Sequence, residues 1–345
     1  MCQLLKDVSV FSFMQFRDTI KQVHVNLGLC QFHLPFLYNI VPGERVEISQ
    51  VWPGLIELIT SEDVQVMKSR LLEQNVATSV CIRQAGNETI GRDDMLLVKG
   101  PFGNSFMITQ TPDAGLINLV RRAGGHAESE KGPGNLLCIR SLTHMIEIGN
   151  SAVIANFYRS VMGFEVDEVM HEHSDAETCD NDDNDKEKDA FNSSSKRERK
   201  SVEVKFGGSV HGLPEQKLVF VESEHAPPAN AYDTEEACTY HIAIYCSSHQ
   251  HFEEVFHRAN QLGLLFINKR FEGGPIEFAS ADTLELARAA GQFRIKNLIG
   301  LDPEAGKNET QSSSSSSGLR LGLVLEHEIR SPRHKCCPIR KARNN

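Results

Sequence analysis

Along the sequence, hydrophobic residues recur first with the spacing of a strand, then of a helix, then of further strands, and this order is repeated. Three times, an apolar run typical of a strand leads into a segment with apolar residues at helical spacing, and further short apolar runs follow. The strand and helix segments are 52–59 with 61–72, 142–148 with 151–164, and 240–245 with 247–260. The pattern predicts three copies of one β-α-β-β-β unit, and therefore an α+β fold.

The predicted helices share a local signature. In the first copy, Val64, Met67 and Leu71 fall on one face. Each helix segment begins with a serine, a residue that can accept hydrogen bonds from free backbone N–H groups as an N-cap. The helices are predicted to end at residues that tolerate a left-handed conformation, namely Asn75, Gly163 and Gly263.

The strands after each helix complete the predicted units. They are 78–83, 94–98 and 105–110 in one unit, 165–170, 202–206 and 216–221 in the next, and 264–267, 289–297 and 320–329 in the last. Residues 21–35 resemble only the closing strands of a further unit, whose first strand and helix are missing or degenerate. With this partial copy the chain has four units.

Polar and glycine-rich segments divide the chain into predicted domains. An amino-terminal domain spans 1–115, a linker 116–137, and a carboxy-terminal domain 138–330, with a basic tail at 331–345. Two segments inside the second domain, 171–200 and 301–318, are acidic or serine-rich and too poor in hydrophobic residues to repay the entropy of ordering. We interpret both as expanded, disordered turns between strands.

Composition narrows the classes of protein. With 345 residues and 40% hydrophobic side chains, the chain can bury a sizeable core. The net charge of −10 and the lack of a basic stripe argue against a nucleic-acid partner. No apolar run is long enough to cross a membrane, and the start does not read as a secretory signal. The nine cysteines show no C-x-x-C spacing, which favours reduced thiols in the cytoplasm.

Several motifs resemble the vicinal-oxygen-chelate superfamily, which includes glyoxalase I, bleomycin-resistance proteins and extradiol dioxygenases. They are Phe157-Tyr-Arg-Ser-Val-Met-Gly-Phe-Glu-Val166, Gly100-Pro-Phe-Gly-Asn-Ser-Phe106 and Tyr240-His-Ile-Ala-Ile-Tyr245. The resemblance implies that βαβββ units pair into open barrels of curved sheet, in two domains here. It also implies a divalent metal inside the barrel, Fe(II), Mn, Zn or Ni, that holds a substrate through two adjacent oxygens.

The resemblance places metal ligands on the first and last strands of each paired unit. In the third and fourth units it points to His144 and His241 on the first strands, and to Glu326 on the last strand of the fourth. Glu328 is an alternative on the same face as Glu326, with His327 on the other, whereas a shifted spacing would place Val324 there and leave no carboxylate. Glu222 is a possible fourth ligand of glyoxalase type. The second unit has no suitable residue at these positions, so we expect no metal in the amino-terminal domain.

These residues support more than one functional hypothesis. Tyr245 has the same strand parity as His241 and is predicted to reach a small-molecule substrate. A metal-dependent lyase, isomerase or extradiol-type dioxygenase is one hypothesis. The alternative is a protein of bleomycin-resistance type that binds or sequesters a small molecule without turnover. The sequence leaves the oligomeric state open.

Overall fold

A computed structural model describes most of the chain from residue 51 onward and three short strands before it. The described residues are 14–17, 22–27, 30–35, 51–73, 79–83, 95–100, 103–123, 135–172, 198–207, 214–231, 233, 241–268, 280–301, 318–335 and 337. The predicted disordered turns lie almost wholly outside them. None of the helices in these ranges has the length and apolar character needed to span a bilayer.

Two complete βαβββ units follow one another in the middle of the chain. The first consists of β4 (Leu55–Thr60), α1 (Val64–Glu73), β5 (Ser79–Arg83), β6 (Met95–Lys99) and β7 (Ser105–Gln110). Helix α2 (Ala114–Ala123) comes after it. The second unit consists of β8 (Leu136–Ile146), α3 (Ser151–Phe157), β9 (Val166–Glu172), β10 (Glu198–Phe206) and β11 (Gln216–Glu222). Helix α3 continues as a π-helical turn, Tyr158–Met162, which ends at Gly163 with φ 70°.

The ends of the chain carry the remaining strands. Near the amino end are β1 (Met14–Arg17), β2 (Gln22–Leu27) and β3 (Cys30–Pro35), which form an antiparallel sheet. The last unit comprises β12 (His241–Tyr245), α4 (His249–Gln261), α5 (Leu284–Ala290), β13 (Gln292–Leu301) and β14 (Leu319–Arg330). Its three strands form a second small sheet in the order β12-β14-β13. The predicted α+β class and the repeated units are confirmed.

The two complete units share one eight-stranded sheet. Its order is β5-β6-β7-β4-β8-β11-β10-β9, and the units join where β4 pairs antiparallel with β8, with Glu57 opposite Ser141. The sheet is open, since β5 and β9 lie at its two edges. The prediction that the third unit pairs with the fourth is therefore wrong for strands β8 to β11. They share their sheet with the strands of the second unit. The sheet instead crosses the predicted linker, where α2 and the start of β8 are found.

Helix α3 lies between the eight-stranded sheet and the carboxy-terminal sheet. Its buried residues share one hydrophobic core with Phe220 of β11 and Leu298 of β13. Backbone approach is close on the β13 side, because a Cβ atom on Gly300 would lie 2.2 Å from the Val153 carbonyl oxygen. On the β14 side, the Asn150 amide donates a hydrogen bond of 3.0 Å to the Gly322 carbonyl. The two sheets therefore bury their helix-facing sides against the same helix.

None of the three helix starts is capped by the serine that begins its predicted segment. Asp63, not Ser61, accepts a hydrogen bond of 2.7 Å from the Gln65 N–H at the start of α1. Ser151 is the first residue of α3 rather than its cap. At α4 the cap is Ser248, one residue after the predicted Ser247, since Ser248 Oγ accepts from the His251 N–H at 3.0 Å. Aspartate can cap a helix as serine does, so the helix forms as predicted although a different residue caps it.

Candidate functional site

Strand pairing in the carboxy-terminal sheet brings several charged residues to one face. In the parallel pair of β12 and β14, His241 lies opposite Glu326, and in the antiparallel pair of β13 and β14, Arg294 lies opposite Glu328. Side chains two residues apart share a face of a strand. Tyr245 and Arg330 therefore lie on this same face. Tyr245 therefore lies on the same face of β12 as His241, as its position in the strand predicts.

A buried set of ion pairs occupies this face; we call it the Arg294 cluster, made of Arg294, Glu326, Glu328 and Arg330. The guanidinium of Arg294 pairs with the carboxylates of both Glu326 and Glu328, and Arg330 pairs with Glu328. The Arg294 side chain is 1% exposed. Asn268 donates a further hydrogen bond of 3.0 Å to Glu326. Two cations, the buried Arg294 and the half-buried Arg330, thus balance two buried anions, which makes the burial of these charges tolerable.

The cluster sets the protonation of its members. Burial alone would raise the pKa of Glu328, but the attraction of Arg330 and Arg294, with a smaller effect of His241, lowers it to about 2. For His241 burial is the largest effect, and it lowers the pKa even though Glu328 opposes the change. The His241 Nε2 atom lies 3.8 Å from a Glu328 oxygen. The cluster therefore combines an ionised Glu328 with a histidine that favours its neutral form.

Tyr245 belongs to the surroundings of this cluster. Its hydroxyl oxygen accepts a hydrogen bond of 2.9 Å from Arg330, and the guanidinium carbon of Arg330 lies 5.5 Å from the centre of its ring. Both contacts orient Arg330 toward Glu328. The contacts place Tyr245 in a charge network; its predicted role toward a substrate stays a prediction.

His144 lies in a different environment from His241. It sits on β8 of the eight-stranded sheet, 0% exposed, with its ring edge-on to Trp52 at 5.2 Å and 6.2 Å from the ring of Phe220. Its Nδ1 atom is 2.7 Å from the Met145 carbonyl oxygen, to which it donates. Burial lowers the pKa of His144 to about 4, and the bond to Met145 only partly offsets this. His144 is therefore a neutral histidine of an aromatic core.

The two histidines are not at equivalent positions of their units. The last-strand partner of His144 is Phe220, whereas the last-strand partner of His241 is Glu326. Phe220 belongs to the core around α3, and Glu326 lies on the opposite side of its sheet from His327, which contacts α3. A shift of one residue reverses the face of a strand residue. His144 thus faces a helix while His241 faces away from one.

Glu222 stabilises the start of α3. One carboxylate oxygen of Glu222 accepts hydrogen bonds from the Ser151 backbone N–H at 3.1 Å and from the Ser151 hydroxyl at 2.6 Å. Helix starts leave N–H groups without partners inside the helix, and a carboxylate there also interacts well with the helix dipole. Glu222 is therefore engaged as a cap from a neighbouring strand, a role that its position at a strand end did not reveal.

The residues described do not fit the expected metal. Among them, no group of three or more histidine, cysteine, aspartate or glutamate side chains could hold a metal ion. His241 and Glu326 are neighbours, but the Glu326 carboxylate is paired with Arg294, and His144 lies in the other sheet. Val324, the alternative position, is 2% exposed and belongs to the hydrophobic interior. The set does not offer the open, anionic ligand arrangement that a divalent cation needs.

The face of the eight-stranded sheet opposite α1 and α3 is the other candidate site. At its centre, Glu57 of β4 lies beside Met107 of β7 and Ser141 of β8. The Ser141 hydroxyl donates to Glu57 at 2.8 Å. Thr143 and Met145 continue the same face along β8, and Met145 is 40% exposed. We call Glu57, Met107, Ser141, Thr143 and Met145 the central strip.

Helix α2 covers one end of this face. Leu116 and Val120 of α2 pack against Ile59, Leu137 and Cys138 in a second, small hydrophobic core. Asp113 caps the helix, since its carboxylate accepts from the Gly115 N–H at 2.8 Å. Most of this helix lies in the predicted linker at 116–137, where glycines and prolines near the helix favour a loop. The central strip lies next to the part of this face that α2 covers.

Comparisons with known proteins add structural similarities at low identity. No protein-family model and no curated protein matches the chain. Among solved structures, it is similar to glyoxalase I from Zea mays, with a TM-score of 0.46, 10% identity, and coverage of 99% of this chain and 89% of that one. It is also similar to a putative dioxygenase from Bacillus subtilis, with a TM-score of 0.44, 11% identity, and coverage of 93% and 75%. Similarities at this level carry no argument about activity.

Proposed function

We propose that this chain is a small-molecule-binding protein of the vicinal-oxygen-chelate type that works without a metal at His144, His241 and Glu326. The observation that supports this is the Arg294 cluster. The Arg294 guanidinium neutralises both carboxylates next to His241, so a divalent cation would have to displace a buried, doubly paired cation. Breaking such a pair leaves an uncompensated buried charge, which is costly.

The central strip supports a binding role. Its methionines, Met107 and Met145, present adaptable apolar surface, and thioethers pack well against aromatic rings. Glu57 and the Ser141 hydroxyl lie at the centre of the strip and offer polar contacts there. A mostly apolar surface with a few fixed polar groups is typical of small-molecule sites. We therefore propose a flat, largely apolar ligand with one hydrogen-bond donor. The Glu57 carboxylate would accept the hydrogen bond from that donor.

Metal content separates this proposal from the enzyme hypothesis. We expect purified protein, dialysed against Zn²⁺, Mn²⁺, Fe²⁺ or Ni²⁺ and measured by plasma mass spectrometry, to retain well under one metal ion per chain. His241→Ala should leave that value unchanged. Stoichiometric metal in the natural protein that is lost in His241→Ala would overturn the proposal and favour a metal site at His241 with Glu326 or Glu328.

Ligand screening tests the central strip directly. We expect thermal-shift screening of a library of flat aromatic compounds to find ligands whose binding Met145→Lys weakens at least tenfold. Met170→Lys is the matched control, because Met170 is 53% exposed on edge strand β9, outside the central strip. Ligands whose affinity falls equally in both variants, or in neither, would rule out the central strip as the binding surface.

A further inference from the structure

A cavity lies where the last unit meets the segment that follows β14. Its volume is about 590 Å³. The first turn of α4, the end of α5 and residues 331–335 form its walls. Buried Ser331 and His334 anchor the third wall, since the Ser331 N–H donates to the Gly291 carbonyl at 2.8 Å and the His334 N–H to the Ser331 carbonyl at 2.9 Å. None of the residues that line it belongs to the central strip or to the Arg294 cluster.

Positive charge dominates the lining of this cavity. Arg288, Arg333 and Lys335 contribute cationic side chains, and Glu253 is the single carboxylate among the lining residues. Glu253 is already engaged, because Arg288 donates to both of its oxygens at 2.8 Å. The lining therefore carries an excess of positive charge around a concave space, which attracts anions.

His249 adds a polar group to the wall. Its Nδ1 atom lies 3.2 Å from the Ser331 hydroxyl oxygen, which also accepts from the Arg333 N–H at 3.2 Å. In the tautomer in which the Ser331 hydroxyl donates to Nδ1, Nε2 carries a hydrogen. Within the described part of the chain, the buried Nε2 atom has no hydrogen-bond partner. A buried polar atom without a partner calls for an acceptor such as an ion or a ligand.

We propose that this cavity binds the phosphate group of a small molecule. Arginine and lysine are the side chains that hold phosphate oxygens in proteins, through charge-assisted hydrogen bonds. The first turn of α4 lines the same space, and the N-terminus of a 13-residue helix favours an anion. The volume admits more than a free phosphate ion, so a phosphate ester fits the space as well.

Calorimetric titration of the full chain tests the proposal. Inorganic phosphate, glycerol phosphate and glycerol would be titrated separately, at constant ionic strength set with chloride. We expect one site per chain for at least one of the two phosphate compounds and no binding of glycerol. Tighter binding of glycerol phosphate would identify an ester as the ligand, and equal binding of inorganic phosphate would identify the free ion.

Charge variants locate the binding. Arg333→Gln combined with Lys335→Gln should weaken phosphate binding at least tenfold. Lys200→Gln is the control, since it removes an exposed cation from β10 of the other sheet. Absence of binding at millimolar phosphate, or an equal loss in the control variant, would overturn the proposal.

A titration followed by NMR needs no variant. We expect the ring resonances of His249 to shift on addition of phosphate, while those of exposed His225, in the turn after β11, stay in place. Shifts of the same size at both histidines would indicate general screening and contradict a site at this cavity.

Discussion

The hydroxyl group of Tyr158 lies 2.6 Å from Nε2 of His327, inside the core between α3 and β14. His327 Nδ1 is 2.7 Å from the Leu325 carbonyl oxygen and donates to it, so Nε2 accepts and Tyr158 donates. Burial raises the pKa of Tyr158 well above its usual value, which keeps this donor neutral. One hydrogen bond thus joins the helix shared by the two sheets to the last strand of the chain.

Removal of that hydroxyl should destabilise the protein. We expect Tyr158→Phe to lower the free energy of unfolding by about 1–3 kcal/mol, because His327 Nε2 is left buried without a donor. Urea denaturation followed by circular dichroism measures the change. If Tyr158→Phe and His327→Phe are combined, the losses should be less than additive. Additive losses would show that the two side chains act independently.

Acid should weaken the folded state through the buried histidines. Burial lowers the pKa of both His144 and His327 to about 4, from 6.5. The unfolded chain then binds more protons between pH 6.5 and 4, so this contribution to stability is complete above pH 6.5 and is lost as the pH falls toward 4. Urea denaturation at a series of pH values measures it.

The same titration separates the histidines from Glu328. Because the pKa of Glu328 is lowered from 4.5 to about 2, its contribution is lost only as the pH falls below 4.5. We therefore expect His144→Gln to flatten the pH dependence of stability between 5 and 6.5, and exposed His257→Gln to leave it unchanged. A pH dependence that is identical in natural protein and His144→Gln would contradict the assignment.

The Arg294 cluster predicts a strong stability effect of a single charge. Arg294→Met leaves the carboxylates of Glu326 and Glu328 buried with less compensation, and we expect a loss of about 3–5 kcal/mol. Adding Glu326→Gln should recover part of that loss. Arg288→Met is the matched control, because the Arg288 side chain is 52% exposed in its pair with Glu253, and exposed pairs contribute little. If Arg294→Met and Arg288→Met lowered the free energy of unfolding equally, burial would make no difference to the contribution of the Arg294 pairs.

Local sequence patterns predicted the elements well, and pairing between elements poorly. Val64, Met67 and Leu71 are all buried on α1, because helical spacing fixes a face within a few residues. The face of His144 depended on its partner Phe220, some 76 positions further on, and no local pattern encodes that register. The burial of Glu326 was expected; its pairing with Arg294 was not, since Arg294 reaches it only across β13 and β14. Residues 289–291 were predicted as strand, but the first two are the last residues of helix α5 and Gly291 is its C-cap.

Glu222 offers a test that separates a helix cap from a metal ligand. We expect Glu222→Gln to lower the free energy of unfolding by roughly 1–3 kcal/mol, because the charge-assisted bonds to Ser151 weaken. Metal content should not change. Glu165→Gln is a suitable control, because the Glu165 side chain is 72% exposed. A loss of bound metal together with unchanged stability would favour the ligand role instead.

Gly54 tests whether the second and third units form one sheet. A Cβ atom at Gly54 would lie 1.9 Å from the Thr143 carbonyl oxygen of β8, a backbone atom that cannot move without disturbing the sheet. Next to it, the Met145 N–H donates to the Pro53 carbonyl at 2.8 Å. We expect Gly54→Ala to lower the melting temperature by several degrees and to speed hydrogen exchange along both β4 and β8. Gly115→Ala is the control, because the nearest atom to its Cβ is the Asp113 Oδ1 that caps α2, at 3.0 Å, so we expect any change in exchange to stay within α2. Exchange that changes in β4 alone would mean that the two units are not joined there and would favour the division into domains at residues 116–137.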